Sequence, residues 1–165
     1  MRRCDRGRLW IFVCLALALS ACTLTETLPG AEIIPPLEDV SGLLEGICFE
    51  AALRLSGQVF TLKSQSELDS LYGQIDNLGI CPHRMQRRTF DFGTGRAVLG
   101  SWTYATQGCK ANHALNRLAQ DTTARTFALS YTFVVEGDCP YELIRPLWIA
   151  IEDAGGYALT LDIQR

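Results

Sequence analysis

The first 22 residues constrain this chain more than any other stretch, because they set the chemical surroundings in which it folds. Arg2, Arg3, Arg6 and Arg8 make a basic start, Leu9 to Leu19 is a short apolar run, and residues 19–22 close it with Leu-Ser-Ala-Cys. Basic, apolar, then small residues is the order of a secretory signal. A plain cleaved signal and an uncleaved anchor are the two other readings of the same run. The run is well short of the ~20 apolar residues that a membrane-spanning helix needs, and a plain signal has no need of a cysteine directly after Ser-Ala. An exported chain folds where thiols oxidise, so its remaining cysteines are expected to pair.

The chain has seven cysteines. Cys4 and Cys14 leave with the signal and Cys22 closes it. Cys48, Cys81, Cys109 and Cys139 remain, an even number in a small exported domain, which reads as a disulfide framework. Four cysteines allow three pairings. Cys48–Cys81 with Cys109–Cys139 is preferred, because each bridge then brackets one local unit of chain. Each is expected to stabilise by roughly 3–4 kcal/mol through lost unfolded-state entropy. A zinc knuckle wants cysteines two to four residues apart, and a redox dithiol wants C-x-x-C. Neither spacing occurs, so no metal and no cofactor is expected.

The tetrapeptide Leu-Ser-Ala-Cys resembles the lipobox of bacterial lipoproteins. That resemblance implies that Cys22 takes a diacylglycerol, that the peptide is cut before it, and that the new amine is acylated. Thr23, where that family carries Asp for inner-membrane retention, implies delivery to an outer membrane if the organism has one. The expected organisation is a signal peptide over 1–21, a lipidated start and tether over 22–36, and a single globular domain over 37–165. The tether (TLTETLPGAEIIPP) carries Pro29, Gly30, Pro35 and Pro36 and no helix or strand period. Fully extended, its 14 residues span at most about 50 Å.

The whole chain holds 15 basic and 18 acidic residues; without the signal it holds 11 and 17, a balance of −6. An acidic domain lacks the basic footprint of a nucleic-acid binder. Its size suits one modest core.

Local patterns predict a mixed fold. Leu37 to Ile47 reads as a short helix ending near Gly46, Cys48 to Leu55 as either element, and Gln58 to Leu62 as a strand. Ser64-x-x-Glu67 is a capping box. Leu68, Leu71, Tyr72 and Ile75 follow at helical spacing, with a stop near Asn77 or Gly79. Phe90 and Phe92 alternate with polar residues, and Gly93-Thr94-Gly95 signals a hairpin into Arg96–Tyr104. Asn112 to Gln120 reads as a short helix with Ala114, Leu115 and Leu118 inward. Arg125 to Val135 is the clearest strand. Residues 147–151 and 157–163 alternate about Gly155-Gly156 and read as a C-terminal hairpin. The expected fold is α+β: a mainly antiparallel sheet of five to six strands packed on one main helix and stapled by disulfides.

Residues from about 60 to 152 resemble the C-terminal domain of PrcB, a lipoprotein partner of a secreted bacterial protease. The matching pieces are Ser64 to Tyr72, the FDF of Phe90 to Phe92, and VLGSWTYATQGC from Val98 to Cys109. Where that family tends to carry T-G-G-Y or G-C, this chain has Thr106-Gln107-Gly108-Cys109. The resemblance implies a small exported domain that binds or stabilises protein partners, with no catalytic residues. GRAVLG followed by Gly108-Cys109 is also similar to META-domain lipoproteins, although Lys110 stands where that family has Asn.

Catalysis has few candidates. A hydrolytic triad needs His beside Ser or Cys with a carboxylate behind it. His83 sits in a loop next to Cys81, His113 sits near Cys109, and no G-x-S-x-G elbow is present. Glu136, Asp138, Glu142, Glu152 and Asp153 cluster near turns without the D-x-D-x-D-G run of a calcium loop. Arg84, Arg87, Arg88 and Arg96 are a candidate basic patch for anionic lipid or an acidic partner; the other reading is a charged edge that blocks aggregation. Trp102, Tyr104, Tyr131, Trp148 and Tyr157 belong mostly to a core. Trp148 lies on the face opposite Leu147 and Ile149, either exposed or under a second layer. Aromatics with arginines nearby mark interface anchors, so Trp148, Trp102, Tyr131, Arg87 and Arg88 are the expected binding residues.

The expectation is therefore a non-enzymatic, lipid-anchored domain on the exported side of a membrane, binding an envelope protein as stabiliser or inhibitor and binding no nucleic acid. The alternative is a small-ligand or lipid-binding module, which an apolar cavity lined by Trp102 or Tyr131 would favour. An enzyme is the third reading.

Overall fold

The computed structural model describes residues 35–165. The expected signal segment, Cys22 and the expected tether through residue 34 lie outside the described residues.

The chain runs β1 (Leu37–Asp39), a 3-10 turn (Ser41–Leu44), α1 (Phe49–Leu55), β2 (Phe60–Leu62), α2 (Gln65–Asn77), a second 3-10 turn (Gly93–Gly95), β3 (Ala97–Ala105), β4 (Lys110–Asp121), β5 (Thr126–Glu136), β6 (Leu143–Ile151) and β7 (Ala158–Gln164). The strands form two sheets rather than the single five- to six-stranded sheet expected. One has the order β1-β6-β3-β2, antiparallel throughout. The other has the order β4-β5-β7, with β4 antiparallel and β7 parallel to β5.

The reason lies in β3 and β6. Residues 97–103 of β3 and 147–151 of β6 are buried without alternation. A strand apolar on both faces must be covered on both. Val98, Trp102, Trp148 and Ala150 face a core with the helices, through Leu68, Leu71, Tyr72 and Ile75 of α2 and Ala51, Ala52 and Leu55 of α1. Ala97, Leu99, Leu147, Ile149 and Ile151 face a second core with Leu118, Phe127, Leu129 and Tyr131 of the other sheet. The result is three layers: helices, a four-stranded sheet, a three-stranded sheet.

The α2 helix starts as its sequence dictates. Ser64 Oγ accepts the Glu67 amide (3.3 Å), while the Glu67 carboxylate takes the amide of Lys63, one residue earlier than the capping box implies.

Four local expectations are corrected. Residues 37–47 form β1 and a 3-10 turn, not a helix, because β6 offers Leu37–Asp39 an antiparallel edge and Asp39 Oδ1 then accepts the Ser41 amide (2.9 Å) to turn the chain. Phe90 and Phe92 are not a hairpin arm. Gln65 of α2 takes the Phe90 amide (3.0 Å), which binds this segment to the helix rather than to a sheet. Residues 112–120 are strand, not helix. A bulge between Leu115 and Arg117 puts Leu115 opposite Tyr131 and Leu118 opposite Leu129, a three-residue spacing that imitates a helix, but of Ala114, Leu115 and Leu118 only Leu118 is buried. The C-terminal pair is not a hairpin, because β1 already holds residues 149–151 of β6 on the side away from β3, and β7 crosses to β5.

Gly100 lets this packing close. A Cβ built there would lie 2.3 Å from the Trp148 ring. No side chain fits between the central strand and that indole.

Candidate functional site

Both disulfides form the expected pairs. Cys48–Cys81 ties the start of α1 to the segment after α2, and Cys109–Cys139 ties the turn before β4 to the turn after β5. They hold the connections of the two layers that flank the central sheet.

The residues expected to anchor a partner are elsewhere engaged. Trp148 is 0% exposed and Tyr131 5%, so neither presents a contact surface, and Trp102, 1% exposed, meets the outside only as part of a cleft wall. Of the two readings for Trp148, the second layer is the observed one: its ring stacks on Phe60 (5.8 Å) and meets Trp102 edge-on (5.0 Å). Three of the four arginines of the candidate basic patch pair with local carboxylates, and Arg84 is exposed. Arg87 pairs with Asp76 (2.6 Å) and covers the Tyr72 ring, and Arg88 pairs with Glu45 (2.5 Å). Arg96 pairs with Glu38 and Glu152 and lies 4.5 Å over Phe90. Arg87 and Arg88 fasten the long 78–92 segment to α2 and to the turn after β1, and Arg96 joins Phe90 to Glu38 of β1 and Glu152 after β6.

The histidines stay apart. His83 is exposed. His113 reaches across from the outer sheet, its Nε2 3.1 Å from the buried Thr103 hydroxyl and its ring tilted on Phe133. Burial lowers its pKa below the ordinary 6.5. Among the described residues no carboxylate hydrogen-bonds either histidine, and no group of three His, Cys, Asp or Glu converges as a metal site. Glu142 accepts the Tyr104 hydroxyl and Glu152 takes Arg96, so two of the five acidic turn residues are spent on structural contacts.

An apolar opening lies between the helical layer and the central sheet. It is a cleft of about 420 Å³, within the range of small-ligand pockets. Its walls are Leu44 and Ile47 from the turn after β1, Phe49 and Ala52 from α1, and Trp102, Ile144 and Pro146 from β3 and β6; Ser41, Gly42, Glu45 and Gly46 rim it. Each wall has a local cause. The Cys48–Cys81 bridge fixes the start of α1 and with it Phe49. Tyr72 donates its hydroxyl to the Leu43 carbonyl (2.8 Å) and so pins the 41–44 turn to α2. Trp102, at the back, carries a buried indole N–H without a hydrogen-bond partner. A second opening of about 410 Å³, by Tyr104, Gln107, Phe133, Val135 and Arg165, is more polar.

Of the expected binding residues only Trp102 belongs to the cleft. Ile47, Phe49, Ile144 and Pro146 escaped the sequence argument. One signal for them existed: proline inside a strand marks an edge, and Pro146 sits where the edge of β6 is open.

No family model, no curated protein and no solved structure matches this chain. Among the described residues no helix is long and apolar enough to cross a membrane. The fold defines the class: a disulfide-stapled α+β domain with two sheets, a helical layer, and one apolar cleft between helices and sheet.

Proposed function

We propose that this chain is a lipid-anchored, non-enzymatic binding domain on the exported side of a membrane, and that the cleft at Trp102 is its working surface. The observation that carries the reading is the apolar cleft of about 420 Å³ held open by a disulfide and a buried tyrosine hydrogen bond. The Leu-Ser-Ala-Cys22 segment supports lipid anchoring at Cys22, and the resemblance to the PrcB C-terminal domain supports an envelope protein as partner. Tethering by residues 23–36 raises the effective concentration for partners on the same membrane.

A small apolar ligand or lipid is the second reading, favoured by the same cleft because Trp102 lines it. The test is purification of the lipidated chain from its native membrane in mild detergent, with mass spectrometry of what accompanies it. A stoichiometric protein that is lost in Gly42→Phe supports the accessory reading. A preparation carrying only a lipid or small molecule moves the assignment to the ligand reading. Material with neither, from a chain shown to be lipidated at Cys22, sinks both.

A further inference from the structure

The cleft opens onto a strand edge. β1 pairs with β6 only at residues 149–151, and the Val40 amide then donates to the Trp148 carbonyl (2.9 Å). In an antiparallel ladder the N–H and C=O of one residue point to the same side and alternate along the strand. Trp148 points its carbonyl towards β1, so Pro146 and Ile144 point theirs to the same side, beyond the end of β1. Residues 143–147 pair with β3 on the other side only. Among the described residues nothing hydrogen-bonds to the Ile144 amide, the Ile144 carbonyl or the Pro146 carbonyl. Arg145 and Pro146 are exposed. The side chains of Ile144 and Pro146 line the cleft, so the open backbone edge and the apolar opening are two aspects of one place.

We infer that an extended peptide segment of a partner protein docks here, adding a strand to the free edge of β6 and placing one apolar side chain in the cleft. This rests on the reading of the cleft as the working surface. Strand addition uses main-chain hydrogen bonds for affinity and side-chain pockets for selection. The parity fits. In an antiparallel pair, directly opposed residues put their side chains on the same face. The peptide residue that exchanges hydrogen bonds with Ile144 therefore turns its own side chain to the face where the cleft lies. Pro146 has no N–H to give, which shortens the ladder and disfavours indiscriminate edge-to-edge pairing. Selection then falls to the side chain in the cleft. A compact small molecule fills the apolar walls but leaves the row of backbone groups unmet.

The experiment uses the full chain, lipidated and reconstituted in phosphatidylcholine discs. A displayed library of random short peptides is selected on it, with Gly42→Phe discs as the counter-selection. Gly42 rims the cleft, and a Cβ there meets nothing within 4 Å, so the new side chain starts in open space at the mouth. The best peptide is resynthesised with and without N-methyl groups on alternate amides. Binding is followed by the fluorine NMR signal of 5-fluorotryptophan at Trp102, with indole as the small apolar probe. The expected result is a peptide bound at least tenfold more weakly by Gly42→Phe and at least tenfold more weakly when N-methylated on the edge-facing amides. Equal binding of the two forms overturns strand addition. Indole shifting Trp102 while no peptide is selected also overturns it and leaves the cleft as a small-ligand site. Silence of Trp102 to both probes removes the cleft reading itself.

Discussion

Gly100→Ala tests the three-layer packing at its tightest point. The new Cβ would lie 2.3 Å from Cδ2 and Cε3 of Trp148 and 2.8 Å from its Cγ. Carbon atoms in contact sit at about 3.5–4.0 Å, so the indole must retreat by more than about 1 Å. It has no free direction. Phe60 stacks on one side, Trp102 stands edge-on beside it, and Trp148 itself is 0% exposed. Inserting a methyl group into such a core costs about 1–3 kcal/mol. Replacing Gly in a strand interior returns at most about 0.5–1 kcal/mol of backbone entropy, so a net loss of about 1–2 kcal/mol is expected. With a urea dependence of about 1–3 kcal/mol per molar, the unfolding midpoint drops by roughly 1 M. Urea titration followed by far-ultraviolet circular dichroism measures it. Trp148→Phe in the same background should recover part of the loss, because the phenyl ring lacks the indole's second ring. A midpoint for Gly100→Ala equal to or above that of the parent would refute the packing argument, since that is what strand propensity alone predicts.

Other substitutions reach other links of the same chain of reasoning. Burial holds the His113 pKa below 6.5, so above that value neither state is protonated and the folded state carries no penalty. As pH falls through 6.5 the unfolded chain takes up the proton first, and stability is lost until the lower folded pKa is passed. The urea midpoint should therefore fall between pH 7 and pH 5 by more in the parent than in His113→Gln; parallel profiles would show that His113 is not the group responsible. Cys48→Ser leaves Cys81 as the single reactive thiol of the 35–165 region by alkylation mapping. The double change Cys48→Ala with Cys81→Ala should cost about 3–4 kcal/mol for a separation of 33 residues. A free thiol at Cys109 or Cys139 in Cys48→Ser would contradict the pairing. Tyr72→Phe removes the hydrogen bond to the Leu43 carbonyl and leaves that carbonyl unmatched, at about 1–2 kcal/mol. Its distinctive sign is a change at the cleft, seen as a shift in the Trp102 fluorine resonance; an unmoved resonance would mean that the 41–44 turn does not depend on α2.

What the chain reveals before folding is what depends on neighbours in sequence. The α2 helix, with Ser64 at its start and a four-residue apolar face, was legible because both signals are local. The β5 alternation was equally legible. The second sheet was not, although its clue was present: residues 97–103 and 147–151 fail to alternate, and strands that fail to alternate need cover on two faces. The bulge at Leu115–Arg117 turned a strand into an apparent helix, since a single extra residue changes the period from two to three at one point. The candidate site was legible only at Trp102. Ile144, Pro146, Ile47 and Phe49 come from segments far apart in sequence, and no spacing joins them. The arginines were visible as a cluster, but their partners Asp76, Glu45, Glu38 and Glu152 are distant or unremarkable in the sequence, so the pairing was not.

The strand order also carries a rule about timing. β1 begins at Leu37 and pairs with β6, which ends at Ile151, while β5 waits for β7 at Ala158–Gln164. Neither sheet can close on the first two-thirds of the chain. Loop closure on this scale makes such folding slow and late. A chain that emerges N-terminus first during synthesis therefore carries no finished sheet until residues 143–164 have followed.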